Sequence, residues 1–107
     1  MTTTIFNSEL SATINHKGAE LVSLKKINSS KEYIWEGNPF FWGKHSPILF
    51  PIVGTLKNDS YTYKKNPYTL SRHGFARDMD FNLIDSNENK IILSLSSKSI
   101  HVFCVSV

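Results

Sequence analysis

Short runs in which apolar and polar residues alternate constrain the fold of this chain more than any other feature. Residues 10–15 alternate strictly, and residues 19–26 repeat the pattern with apolar side chains on both faces. A period of two places every second side chain on the same side of the backbone, which is typical of a strand and not of a helix.

Further strands are predicted at residues 33–35, 59–64, 68–70, 81–85 and 91–95. Turn-forming residues separate the strands at residues 16–18, 28–31, 36–39, 64–67 and 86–89. Residues 40–54 contain prolines and many aromatics, which indicates an irregular, partly buried connection. Short strands at roughly ten-residue spacing, without a convincing helix, predict an all-β fold built as an antiparallel sandwich or barrel.

Length and charge exclude several classes of protein. A chain of 107 residues makes one domain at most. Twelve basic and nine acidic residues are dispersed, whereas a nucleic-acid-binding protein concentrates positive charge on one face. No run of apolar residues has the length of a membrane helix, and residues 1–5 lack the basic start of a signal peptide. With a single cysteine, these features predict a cytoplasmic protein without nucleic-acid or membrane partners.

Residues 71–78 gather an imidazole, two guanidiniums and a carboxylate around a glycine. His73 can exchange a proton near neutral pH, Arg77 offers a fork of donors, and Asp78 can orient either group. Gly74 permits a close backbone approach. The cluster therefore indicates a binding site, with the alternative of a polar turn in which His73 bonds to the backbone.

The other histidines indicate no metal site. We expect His16 to be solvated in a turn and His45 to be a surface or capping residue. We expect His101 to be exposed or to have an incidental role. Their spacing matches no ligand set, so no metal is predicted. A group of aromatic residues is predicted to form core or to stack on a sugar, and comprises Trp35, Phe40, Phe41, Trp42 and Phe50.

Several segments resemble one known family. Residues 32–39 and 41–54, followed by the Arg-His-Gly-Phe-Ala-Arg-Asp run at 72–78, are similar to the N-terminal part of the aldose 1-epimerase (galactose mutarotase-like) family, in particular its LacX-type branch. The Gly-Ala-Glu-Leu run at 18–21 resembles the family's early strand. The resemblance extends over residues 10–96 and depends on the order and spacing of these pieces.

The resemblance implies an antiparallel β-sandwich that interconverts the α and β anomers of an aldose by general acid–base catalysis. It implies that His73 assists catalysis and that Arg77 binds substrate. From the residues themselves, Lys57 and Asp78 are added as candidate substrate-binding residues. The implied ligand is an aldose or a sugar phosphate, with no cofactor and no metal. Thr55 departs from the family, which has a sugar-binding arginine there, and Lys57 compensates only in part.

A second departure concerns length, because family members are longer and take their principal acid and base from later segments. We expect residues 1–107 to form a single partial domain, with a family-like part at 1–97 and a divergent tail at 98–107 from truncation or a frameshift. The alternative for the tail is a genuine edge strand. Whether the chain is an active isomerase is left open. The other hypotheses are a non-catalytic carbohydrate-binding module and a β-domain that pairs with another chain through uncovered strands.

Overall fold

Nearly all regular secondary structure in the described part of the chain is β-strand. A computed structural model describes residues 1–96 and 100–106, and helical structure there is confined to two single 3₁₀ turns, Lys57–Asp59 and Ala76–Asp78. The strands are β1 (Thr2–Phe6), β2 (Leu10–Asn15), β3 (Glu20–Lys26), β4 (Ser60–Tyr63), β5 (Asn66–Thr69), β6 (Asn82–Asn87), β7 (Lys90–Ser96) and β8 (Ile100–Ser106). The all-β prediction is therefore confirmed.

The strands form three antiparallel sheets in which sequence neighbours pair: β1-β2-β3, β4-β5 and β6-β7-β8. The first and third sheets meet through β1 and β7, and Phe6 N–H donates to the carbonyl of Glu88 at 2.7 Å. The buried core comprises Ile5, Ala12, Ile14, Ala19, Ala76, Phe81, Ile91, Leu93 and Leu95. This arrangement is the sandwich predicted from alternation and resemblance.

β2 shows how the alternation produces this core. Ala12 and Ile14 are almost fully buried, while the intervening Thr13 is only half-buried. Because burial of one large aliphatic side chain stabilises a fold by roughly 1.5–3 kcal/mol, this pattern fixes which face of the strand points inward.

The β4–β5 hairpin turns through Lys64 and Lys65, whose φ angles of 48° and 66° are both left-handed. Two left-handed turn residues match the twist of a hairpin. Pro67 pairs opposite Thr62 inside β5, so the turn is shorter than the predicted residues 64–67.

Several expectations were wrong. β1 was not predicted, because its run of threonines lacks a clear alternation. Residues 33–35 form no strand, and the nearest pairing is a single bridge between Lys25 and Glu32. His16 is 7% exposed instead of solvated, and its Nε2 is bonded to the Thr3 hydroxyl at 2.7 Å.

The expected core role of the aromatic group holds only for Phe50, which packs against the core. The other members are exposed, namely Trp35, Phe40, Phe41 and Trp42. The predicted domain boundary after residue 97 falls on residues outside the described ranges, so it stays a prediction.

Candidate functional site

His73 is held against Gly54 by two hydrogen bonds. The backbone N–H of His73 donates to the carbonyl of Gly54 at 2.8 Å, and the N–H of Gly54 donates to Nδ1 of the imidazole at 2.9 Å. Both residues have left-handed backbones, with φ of 64° at His73 and 88° at Gly54. His73 is therefore held in place both by its backbone N–H and by its imidazole ring.

The Gly54 contact assigns the tautomer of the half-buried His73 ring. A backbone N–H is only a donor, so Nδ1 must carry a lone pair. In the neutral ring the proton then lies on Nε2, which becomes a donor toward a ligand. The bond to the backbone that the alternative interpretation predicted is present, and it leaves Nε2 as the donor of the neutral ring.

Gly74 lies unusually close to Phe50. The two residues form a parallel bridge, and a Cβ added to Gly74 would come within 2.2 Å of the Phe50 carbonyl oxygen. That carbonyl accepts the N–H groups of Phe75 at 3.0 Å and Ala76 at 3.2 Å. Only glycine fits at this position, as the sequence suggested. The approach ties the motif to the irregular segment 50–54.

The carboxylate of Asp78 is paired with two cationic side chains of the protein. Its Oδ1 accepts from Nζ of Lys44 at 2.9 Å, and its Oδ2 lies 3.8 Å from Nε of Arg77. The hydrogen bond from Lys44 lowers the pKa of Asp78, against the effect of desolvation, and the charges of Arg77 and Lys17 act in the same direction. Asp78 is therefore a weak base.

Arg77 and Arg72 are joined through the backbone. Nη2 of Arg77 donates to the carbonyl of Arg72 at 3.0 Å, while Nε of Arg72 donates to the hydroxyl of Thr55 at 2.9 Å. The structure thus brings His73, Arg77 and Asp78 into one loop. The fourth predicted residue, Lys57, is exposed at the start of the 57–59 turn.

Glu20 was missed as a positioning residue. Its buried carboxylate accepts the N–H groups of His45 at 2.6 Å and Ser46 at 3.1 Å. The carbonyl of the adjacent Lys44 accepts from the Trp35 indole at 2.8 Å. These bonds place Lys44 beside Asp78. The available sequence signal was a carboxylate at the first residue of β3.

An apolar depression of about 340 Å³ lies beside this loop and is lined by Pro51, Ile52, Leu56, Tyr61 and Leu70. None of the candidate polar residues lines it, so its chemistry is separate from that of the His73 loop. A sugar needs polar partners, which makes the loop the better candidate.

Over residues 1–96 and 100–106, no cluster of three or more histidine, cysteine, aspartate or glutamate side chains could hold a metal ion. The same residues include no helix with the length and hydropathy required to span a bilayer.

Comparison with known proteins places these features in a family. Residues 1–101 match the family described as aldose 1-epimerase. The plasmid-encoded protein LacX of Lactococcus lactis subsp. lactis is 36% identical over 100 residues, which make up 89% of this chain and 33% of LacX. The chain therefore spans about a third of the length of the curated relatives it matches.

Two solved structures are similar to this one. A galactose mutarotase related enzyme from Lactobacillus acidophilus is 45% identical with a TM-score of 0.86. A galactose mutarotase-like protein from Lactobacillus casei is 40% identical with a TM-score of 0.83. Each alignment covers 89% of this chain and 32% of the other.

Proposed function

Because this chain belongs to the aldose 1-epimerase family, we propose that its His73 loop forms part of a site for an aldose or a sugar phosphate. The observation that carries this proposal is the bond from the Gly54 N–H to Nδ1 of His73. It leaves the Nε2–H group to donate a hydrogen bond to a sugar oxygen. Arg77 retains further guanidinium donors for sugar hydroxyls, and Lys57 and Asp78 stay as predicted contacts.

Interconversion of the two anomers needs an acid and a base on either side of one sugar. The His73 ring is suited to donate a hydrogen bond from Nε2 to a sugar oxygen and not to protonate it, because Gly54 selects the neutral tautomer and a neutral imidazole is a very weak acid. Asp78 is unsuited to the base, because Lys44 lowers its pKa. We therefore expect the 107-residue chain to bind an aldose through this loop and to accelerate mutarotation negligibly.

Polarimetry of freshly dissolved α-D-glucose tests the catalytic part. We expect the rate with the chain to equal that of the buffer. Acceleration that disappears in His73→Ala would contradict the expected lack of turnover and would show that the loop suffices for catalysis.

NMR titration tests the binding part. We expect D-glucose, D-galactose or D-glucose 6-phosphate to shift the ¹⁵N and ¹H signals of the His73 ring in a saturable manner. The Nδ1 signal of the free protein should have the shift of an unprotonated ring nitrogen. Absence of saturable shifts with all three sugars would refute the sugar site.

A second candidate function is pairing with another chain, and the exposed apolar side chains favour it. Phe40, Phe41 and Val53 are 85%, 74% and 77% exposed, and Ile84 of β6 is 60% exposed. Large apolar side chains at this exposure promote association. Sedimentation over a concentration series should show self-association, whereas a monomer at all concentrations would refute this candidate.

A further inference from the structure

We infer that Arg72 is a further sugar-binding residue and that Thr55 positions it. This inference rests on the proposed function of the His73 loop. The ligand chemistry is a set of neighbouring oxygen acceptors, as presented by the hydroxyls of a hexose or by its phosphate ester.

The backbone of His73 brings Arg72 to the same side as the imidazole. In an extended chain consecutive side chains point to opposite faces. At His73 the φ of 64° breaks that alternation. As a result the Arg72 side chain contacts Thr55 while the His73 ring contacts the adjacent Gly54. Two consecutive side chains thus lie against two consecutive residues of one segment.

Arg72 is also prepared for binding. Its side chain is exposed, its Nε is held by the Thr55 hydroxyl, and its carbonyl is held by Arg77. A guanidinium bonded through Nε keeps both terminal amino groups as a fork of donors. Because two contacts already restrict the residue, less conformational entropy is lost when a ligand binds.

The role of Thr55 follows from the same contact. Its hydroxyl accepts from Arg72 and thereby holds a guanidinium over position 55 from the neighbouring segment. Arg72 supplies the cation, and Thr55 supplies the acceptor that orients it.

NMR titration of the 107-residue chain with D-glucose, D-galactose and D-glucose 6-phosphate tests this inference. We expect Arg72→Ala to weaken binding by roughly tenfold or more, because a lost hydrogen bond from a charged donor has about that effect. Arg72→Lys should recover only part of the loss, since it keeps the charge without the fork. Lys31→Ala, which removes an exposed cation on another loop, should leave affinity unchanged. A loss confined to the phosphate ester would assign Arg72 to the phosphate, and an equal loss for all three sugars would assign it to hydroxyls.

Thr55 variants separate positioning from general structure. Thr55→Val should weaken binding and shift the Nε signal of Arg72, while Thr55→Ser should preserve both. In Thr55→Arg, removal of Arg72 should cost less affinity than in the parent, because the introduced guanidinium takes over.

The outcomes distinguish this inference from the function on which it rests. If the parent binds sugar and Arg72→Ala binds equally well, Arg72 is not a ligand residue and the inference fails alone. If the parent binds none of the three sugars, the proposed function fails and the inference fails with it.

Discussion

β6 and β7 lie side by side in one sheet, yet their surroundings are opposite. On β7, Ile91 and Leu93 are at most 1% exposed, whereas Leu83 and Ile84 on β6 are 45% and 60% exposed. Both strands pair antiparallel with a neighbour, although the β6–β7 register shifts between Leu83 and Asp85. Sheet hydrogen bonding therefore does not bury a strand. Burial of β7 comes from the layer formed by β1–β3, and the described residues provide no such layer over β6.

The largest expected effect is a difference in the free energy of unfolding between substitutions on β7 and on β6. Leu93→Ala should lower the free energy of unfolding by about 2–5 kcal/mol, because it leaves a cavity in the core. Ile84→Ala on β6 should lower it by ~0.5 kcal/mol or less, because its side chain is already exposed. Urea denaturation monitored by circular dichroism measures both. Similar losses for the two variants would show that β6 is covered in solution.

Two glycines of the site give the next contrast. Gly74→Ala should destabilise the fold strongly, since its Cβ would collide with the Phe50 carbonyl. Gly54→Ala has open space around the new Cβ and φ of 88°, so only the left-handed strain of roughly 1–2 kcal/mol is expected. Thermal denaturation of both variants measures the difference. Equal losses of stability would mean that backbone strain, and not the collision with the Phe50 carbonyl, determines the cost of replacing Gly74.

An acid-dependent effect is expected at Glu32. Burial opposes ionisation, but hydrogen bonds from the Ser23 hydroxyl and the N–H groups of Ile34 and Leu24 lower its pKa from 4.5 to about 2. A depressed folded pKa means that ionised Glu32 contributes stability above about pH 4.5, and that this contribution disappears as pH falls toward 2.

Glu32→Gln should therefore lower the melting temperature at neutral pH and have progressively less effect below pH 4.5. Melting curves over a pH series measure this, with the exposed Glu36→Gln as the matched control. A difference that stays constant through the acidic range would contradict the assigned hydrogen bonds.

The smallest effect is expected at the surface pair of Lys44 and Asp78. The two side chains are 27% and 62% exposed, so a double-mutant cycle with Lys44→Met and Asp78→Asn should give a coupling of about 0.2–1 kcal/mol. High salt should reduce it. A larger, salt-insensitive coupling would place the pair in a drier environment than the structure shows.

The fold was predictable wherever local pattern and tertiary contact agree. β2 alternates strictly because one face meets the core, and its bounds match the prediction. Residues 33–35 have strand composition, but the Glu32 carboxylate accepts the backbone N–H groups of Leu24 and Ile34. Because these N–H groups bond to a side chain and not to another strand, no strand forms at 33–35. Such competition depends on the neighbouring β3 and has no local signature.

The residues of the candidate site could be proposed from the sequence, but their geometry could not. The polar run at 71–78 marked His73, Arg77 and Asp78. The tautomer of His73 depends on Gly54, 19 residues away, and the role of Glu20 depends on backbone groups 25 and 26 residues away. Sequence spacing does not encode these approaches, because the irregular segment 40–54 creates them.

Ala76 joins the site to the core. It is fully buried among the core side chains, yet it is flanked by Phe75 and Arg77 of the His73 loop. Under the proposed function, the position of Ala76 would therefore link ligand affinity to global stability. A sugar that binds the folded loop should raise the melting temperature, and a core substitution that shifts Ala76 should weaken sugar binding without touching any ligand contact.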